Sequence, residues 1–153
     1  MLKAALFALA LLAPMAVPAS CVLPGNADQI TALMTQMMND TRAANGLAAL
    51  APNRRLMRAA ADHGCDMSQH AFFGHRGSDG ADLQARVTRT GYGLCLAAEN
   101  LAYGYDPGEI VPRWMGSPGH RANLLQDRAA EFGNAVVMGP DGPMYVLVMA
   151  RPC

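Results

Sequence analysis

The strongest constraint on the fold lies near the end of this 153-residue chain. Residues 132–139, "FGNAVVMG", and 144–151, "MYVLVMAR", are β-rich runs on either side of "PDGP", and two such runs joined by a short turn-forming link predict a hairpin. Upstream the pattern is helical. From Gln29 the residues Ile30, Leu33, Met34, Met37 and Met38 recur at spacings of three and four, which predicts an amphipathic helix to about Asn45, where Asn45-Gly46 supplies a stop. A second helix opens after Pro52 with Asn53 as N-cap, and its stripe runs Leu56, Ala60, His63, Met67 toward His70. "FFGHRGSDG" reads as a loop, Asp82 to about Thr90 as a third helix with Leu83 and Val87 inward, and "CLAAENLAYGY" as a buried strand. Pro107 to Met115 completes the set as a short helix. Helices first and strands later, each with an apolar face, predict an α+β domain in which helices cover a small, mostly antiparallel sheet.

The other end of the chain bears on where it works. Lys3 precedes the apolar run "AALFALALLAPMAVPA", which is too short to span a bilayer and ends in small residues. Residues 1–19 therefore read as a secretory signal peptide, cut after Ala19, ahead of a single domain over 20–153. A lipoprotein signal, with Cys21 lipidated, is the rival reading, although Pro18 stands where that signal calls for a leucine-like residue. Removing Lys3 leaves eleven arginines against twelve acids, a net charge of about −1. No basic stripe suggests nucleic acid, and no later apolar run has spanning length, so the expected product is secreted or periplasmic. Cys21, Cys65, Cys95 and Cys153 all follow the cut, and in an oxidising compartment they read as two disulfides. Of three possible pairings, the reading prefers Cys65 with Cys95 and Cys21 with Cys153. A zinc cluster is the alternative, but no two cysteines have the short spacing such clusters use.

Five stretches occur in an order that resembles one family: "TRAANGLAALAPNRRLMRAAADH", "FFGHRGSDG", "AENLAYGY", "VPRWMGSPGHRANLL" and the glycine-bearing strand "EFGNAVV". Together they resemble the CAP superfamily of cysteine-rich secretory proteins, antigen 5 and pathogenesis-related 1 proteins, in its compact bacterial form. The resemblance spans about Gln29 to Arg151. It implies a three-layer α-β-α sandwich with a cleft on one face, and in that cleft a metal site of two histidines and two acids. The first histidine falls on His75, the first acid on Glu99 and the second histidine on His120, while Ser117 stands at the position of the second acid.

Each of these residues has a plain structural reading beside the functional one. Ser117 is expected to N-cap the turn begun by Pro118, its hydroxyl fixing where His120 points. Trp114, the sole tryptophan, is expected to form the floor beneath that turn. Asn100 and Asn123 read as loop-holding side chains, Arg121 as one half of a surface salt bridge, and His63 and His70 as core histidines of the second helix. His75 and His120 are either partly buried, hydrogen-bonded imidazoles or, with Glu99, ligands of one divalent ion, zinc being favoured by nitrogen ligands. Glu99 sits in an apolar strand where an unpaired carboxylate is costly, so it needs a histidine or a metal as partner. Two functions follow from this reading. The favoured one is a binding module for a small amphiphile, an envelope polymer or a protein. The alternative is a hydrolase that activates water on the metal or uses Ser117, His120 and Glu99 as a triad-like set.

Overall fold

In the computed structural model, which describes residues 21–153, the chain runs α1 (Ala27–Ala44), β1 (Ala51–Pro52), α2 (Arg54–Gln69), α3 (Leu83–Arg89), β2 (Leu94–Tyr103), a 3₁₀ turn (Pro107–Glu109), α4 (Ile110–Gly116), α5 (Pro118–Leu124), β3 (Glu131–Gly139) and β4 (Gly142–Pro152). The expected signal peptide and its cut lie outside the described residues.

The hairpin forms as expected. β3 and β4 pair antiparallel from Glu131↔Ala150 to Gly139↔Gly142, leaving Pro140 and Asp141 as the link. β2 adds to the other edge of β4, also antiparallel, with Glu99 opposite Val148 and Asn100 opposite Leu147. The two-residue β1 pairs parallel to β3, so the sheet is mixed, in the order β1-β3-β4-β2.

Helices cover both faces of the sheet, which accounts for central strands that are apolar almost throughout instead of alternating. In β4, Tyr145, Leu147 and Met149 join a core with Ile30, Met34 and Met38 of α1 and Ile110 and Trp114 of α4. The intervening Val146, Val148 and Ala150 join a second core with Leu56, Ala60 and Met67 of α2 and Val87 of α3. The result is the three-layer α-β-α sandwich. A polar pin crosses the first core: Arg42, 1% exposed, donates from Nη1 to the carbonyls of Leu124 and Gln126 at 2.8 and 3.0 Å and from Nε to that of Ala48 at 2.9 Å. It ties the end of α1 to the end of α5.

Four expectations need correction. The α1 stripe narrows to Ile30, Met34, Met38 and Arg42, a strict i+4 row, and Leu33 is exposed. His70 is no core residue; it follows α2 as its C-cap, exposed, with Nδ1 2.9 Å from Asp66 Oδ1. The short turn after Ser117 is a seven-residue helix, α5. Both disulfides exist but with different partners, Cys21 with Cys65 and Cys95 with Cys153. The register explains the second of them. β2 starts beside the end of β4, with Leu94 opposite Pro152, so Cys95 and Cys153 meet at the sheet edge. The segment before α1 instead packs over α2, where Val22 O accepts from Met138 N at 2.7 Å and Cys21 meets Cys65.

Candidate binding cleft

Glu99 lies in the interior of β2, and its side chain is 2% exposed. Its Oε1 accepts from His75 Nδ1 and from Arg86 Nη2, each at 2.9 Å, and His63 Nε2 lies 3.9 Å away. Three elements deliver these partners: α2 carries His63, the loop after it carries His75, and α3 carries Arg86. Two consecutive carbonyls hold that loop in place. Gly74 O accepts from His63 Nε2 at 2.9 Å, and His75 O accepts from Arg86 Nη2 at 3.0 Å. Because a carbonyl can only accept, His63 carries its proton on Nε2, and its buried Nδ1 has no partner in the protein.

The cluster sets the charge of its members. For Glu99, burial favours the neutral acid, but the hydrogen bonds from His75 and Arg86, with the Arg86 charge, outweigh it and hold the carboxyl below its ordinary value. His75 is pushed up, chiefly by its hydrogen bond to Glu99. His63 is pushed down, chiefly by burial, which outweighs the attraction of Glu99.

His120 stands apart from this pair. It lies on α5, its ring centroid 6.4 Å from that of Trp114, and among the described residues it has no hydrogen bond to His75 or Glu99. Burial, and then the charge of His75, push its pKa down. The buried Asn100 donates from Nδ2 to His120 O at 3.0 Å. Asn123 donates to Asn100 Oδ1 at 3.0 Å and to Glu99 O at 3.1 Å, so two asparagines lace α5 onto β2 beside the carboxylate. Trp114 is 2% exposed and donates from Nε1 to Leu101 O at 2.9 Å. Ser117 occupies the N-cap position of α5, but its hydroxyl makes no capping bond. The expected cap is thus absent, and the backbone alone turns the corner: Ser117 N donates to Trp114 O at 3.1 Å, and Arg121 N donates to Ser117 O at 2.8 Å.

A cavity of about 550 Å³ opens against this corner, with Phe73, Tyr103, Tyr105, Arg113, Ser117 and His120 on its walls. Phe73 and Tyr103 pack with ring centroids 5.5 Å apart, and the Arg113 guanidinium lies 4.1 Å over the Tyr105 ring. Among the described residues Phe73 and Tyr105, 45% and 41% exposed, are the large aromatics left in water, and both face this one space. A smaller cavity of about 210 Å³ lies between α2, the 78–79 turn and α3.

The structure therefore brings two of the three expected ligands, His75 and Glu99, into contact. His120 reaches them only through the asparagines. Among the described residues no group of three His, Cys, Asp or Glu side chains stands close enough to hold a metal ion. In this arrangement the donor set does not fit the three-ligand site that the resemblance implies, because both polar contacts of Glu99 Oε1 go to protein donors. Sequence reasoning missed Arg86. The signal was present: Arg86 follows Leu83 by three positions on the inward face of α3, and a buried carboxylate calls for a cation.

Residues 35–150 match the sequence model described as the cysteine-rich secretory protein family, CAP. The chain belongs to this family. Among curated proteins, the CAP chain is 29% identical over 101 residues to the uncharacterized protein YkwD of Bacillus subtilis, a match spanning 65% of this chain and 39% of that protein. The chain thus corresponds to about two fifths of that relative's length. Among solved structures, an outer surface protein of Borrelia burgdorferi superposes with a TM-score of 0.81 at 16% identity, over 88% of this chain and 100% of that one. An extracellular protein of Bacillus anthracis that contains an SCP domain gives 0.73 at 26% identity, over 82% and 41%. At 16% identity the first likeness speaks for the CAP fold alone.

Proposed function

We propose that this CAP domain is an exported, non-enzymatic binding module whose aromatic cavity holds an amphiphile with an acidic head. The observation that carries the reading is the convergence of both water-exposed aromatics, Phe73 and Tyr105, on one cavity of about 550 Å³ that also presents Arg113 and His120. Exposed aromatic surface of this kind is unfavourable in water and favours a ligand with an apolar body. Arg113, half-exposed and stacked on Tyr105, supplies a permanent positive charge at the mouth for a carboxylate or a sulfated group. Catalysis is the weaker reading, since Ser117 has no hydrogen bond to His120 among the described residues. Export is supported by the apolar leader and the two disulfides, and no described helix is long and apolar enough to cross a membrane. A lipid on Cys21 conflicts with its bond to Cys65, because a disulfide sulfur cannot also form a thioether.

Trp114, the single tryptophan, lies on the wall of the same cavity and serves as the reporter. Titration of the purified protein with dodecanoate, below its micelle concentration, is expected to give a saturable change in tryptophan emission. Arg113→Ala and Tyr105→Ala should each weaken binding about tenfold, the order of one lost ionic or aromatic contact. The absence of a saturable change, or unaltered affinity in both variants, rejects the reading.

A further inference from the structure

Three basic side chains surround one oxygen of Glu99, and they are not equivalent. His75 and His63 are imidazoles that exchange their protons near neutrality, whereas a guanidinium keeps its charge at every pH a folded protein meets. Arg86 is itself enclosed, its side chain 8% exposed, with Nε and Nη1 buried and without a partner in the protein. A single nitrogen, Nη2, makes both of its bonds, to the Glu99 carboxylate and to the His75 carbonyl. That one atom thus fixes the side chain of one expected ligand and the backbone of another.

A cation in that place does for Glu99 what a divalent ion would do. It neutralises a carboxylate that burial disfavours, and it joins β2, α3 and the His75 loop into one unit. It also opposes the metal, since an ion bound by Glu99 would stand within a few ångströms of a fixed positive charge in a poorly solvated interior. We propose that Arg86 is the built-in cation of this cleft, occupying the electrostatic place of a divalent metal ion, and that removing its charge converts His63, His75 and Glu99 into a divalent-cation site. Both imidazole nitrogens lie within 3.9 Å of Glu99 Oε1, so the three donors already face one another. The proposal concerns this cluster and is independent of what occupies the aromatic cavity.

The test uses the mature, disulfide-bonded protein, stripped with chelator and exchanged into metal-free buffer. Zinc chloride is titrated calorimetrically at pH 7.5, and cobalt(II) is followed by its visible d–d absorption, which reports inner-sphere nitrogen and oxygen ligands. Wild type and Arg86→Lys, which keeps the charge, are expected to show no tight one-to-one site. Arg86→Gln is expected to bind zinc at least tenfold more tightly than wild type and to gain the cobalt spectrum, and both gains should vanish in an Arg86→Gln, His75→Ala double variant. A wild-type site that binds zinc one to one as tightly as Arg86→Gln, and that depends on His75, overturns the proposal. So does a folded Arg86→Gln, verified by circular dichroism, with no gain. Should Arg86→Gln not fold in metal-free buffer, zinc-dependent recovery of its folded signal supports the proposal, and the lack of recovery at millimolar zinc counts against it.

Discussion

Gly133 of β3 crosses α2 so closely that a Cβ built on it would lie 2.1 Å from the carbonyl carbon of Leu56 and 2.1 Å from the amide nitrogen of Met57. The obstacle is backbone, so no rotamer change can relieve it. Contact at this distance requires the first turn of α2 to move off the sheet, and with it His63, which the same helix delivers to Glu99. Overpacking a core typically costs about 1–3 kcal/mol, and a clash with backbone belongs at or beyond the upper end. Gly133→Ala is therefore expected to lose about 3 kcal/mol or more in denaturant unfolding with the disulfides intact. A loss below about 1 kcal/mol would mean that α2 does not pack on β3 as described.

The disulfide pairing is open to direct chemistry. Proteolysis of unreduced protein should release one linked pair of peptides containing Cys21 and Cys65 and another containing Cys95 and Cys153. Replacing Cys95 and Cys153 together is expected to cost about 2–5 kcal/mol, in the range for a native bridge lost from a small domain. A peptide joining Cys65 to Cys95 would refute the register of β2 on β4.

The His75 and Glu99 pair gives stability a pH dependence of definite sign. The folded protein raises the pKa of His75 above its ordinary value of 6.5. Protons thus bind the folded state more tightly, so the contribution is complete below about pH 6.5 and is lost as pH rises through the folded pKa. The difference in melting temperature between wild type and His75→Ala should be widest near pH 6 and shrink toward pH 9. Its size will be modest, because the His75 side chain is 60% exposed and water screens the pair. His63 titrates in both proteins and largely cancels in the comparison. A gap that is constant or widens with rising pH would show that the charged form of His75 does not make the bond.

Local patterns were legible in the sequence where the physics is local. The hairpin, the Asn53 and Asp82 caps and the i+4 row of α1 each depend on residues a few positions apart, and all are present. What sequence could not show depends on register and on packing between distant elements. Cys95 meets Cys153 only because β2 adds to the far edge of β4, and β1 exists only because residues 51 and 52 lie beside the start of β3. The cleft divides in the same way. Motif order located His75, Glu99 and His120, but whether they touch depends on how α3 and α5 dock on β2. Arg86 takes the bonding position beside Glu99, and Asn100 and Asn123 hold α5 so that the ring of His120 meets Trp114 instead.

Asn100 is the sharpest test of that lacing. It is fully buried; its Nδ2 donates to His120 O, and its Oδ1 accepts from Asn123 Nδ2. Asn100→Asp keeps the shape and the acceptor but replaces the donor with a second oxygen, which then faces the carbonyl of His120. It also places a carboxylate one residue from Glu99 in the same strand. Breaking a buried polar network so as to leave an uncompensated charge costs about 3–5 kcal/mol, and a variant near that value is expected at pH 7.5. Protonation supplies the remedy, because a neutral acid can donate its own hydrogen to His120 O. The folded variant should therefore hold the proton of the introduced carboxyl more tightly than the unfolded chain does. A folded pKa above the unfolded one means that stability is retained at low pH and lost as pH rises through the folded value. The deficit of Asn100→Asp relative to wild type is thus expected to narrow between pH 7.5 and pH 5 in parallel denaturant titrations. A deficit that stays constant over this range would show that the new oxygen in the variant finds a donor other than its own proton, and that α5 can shift on β2 to provide it.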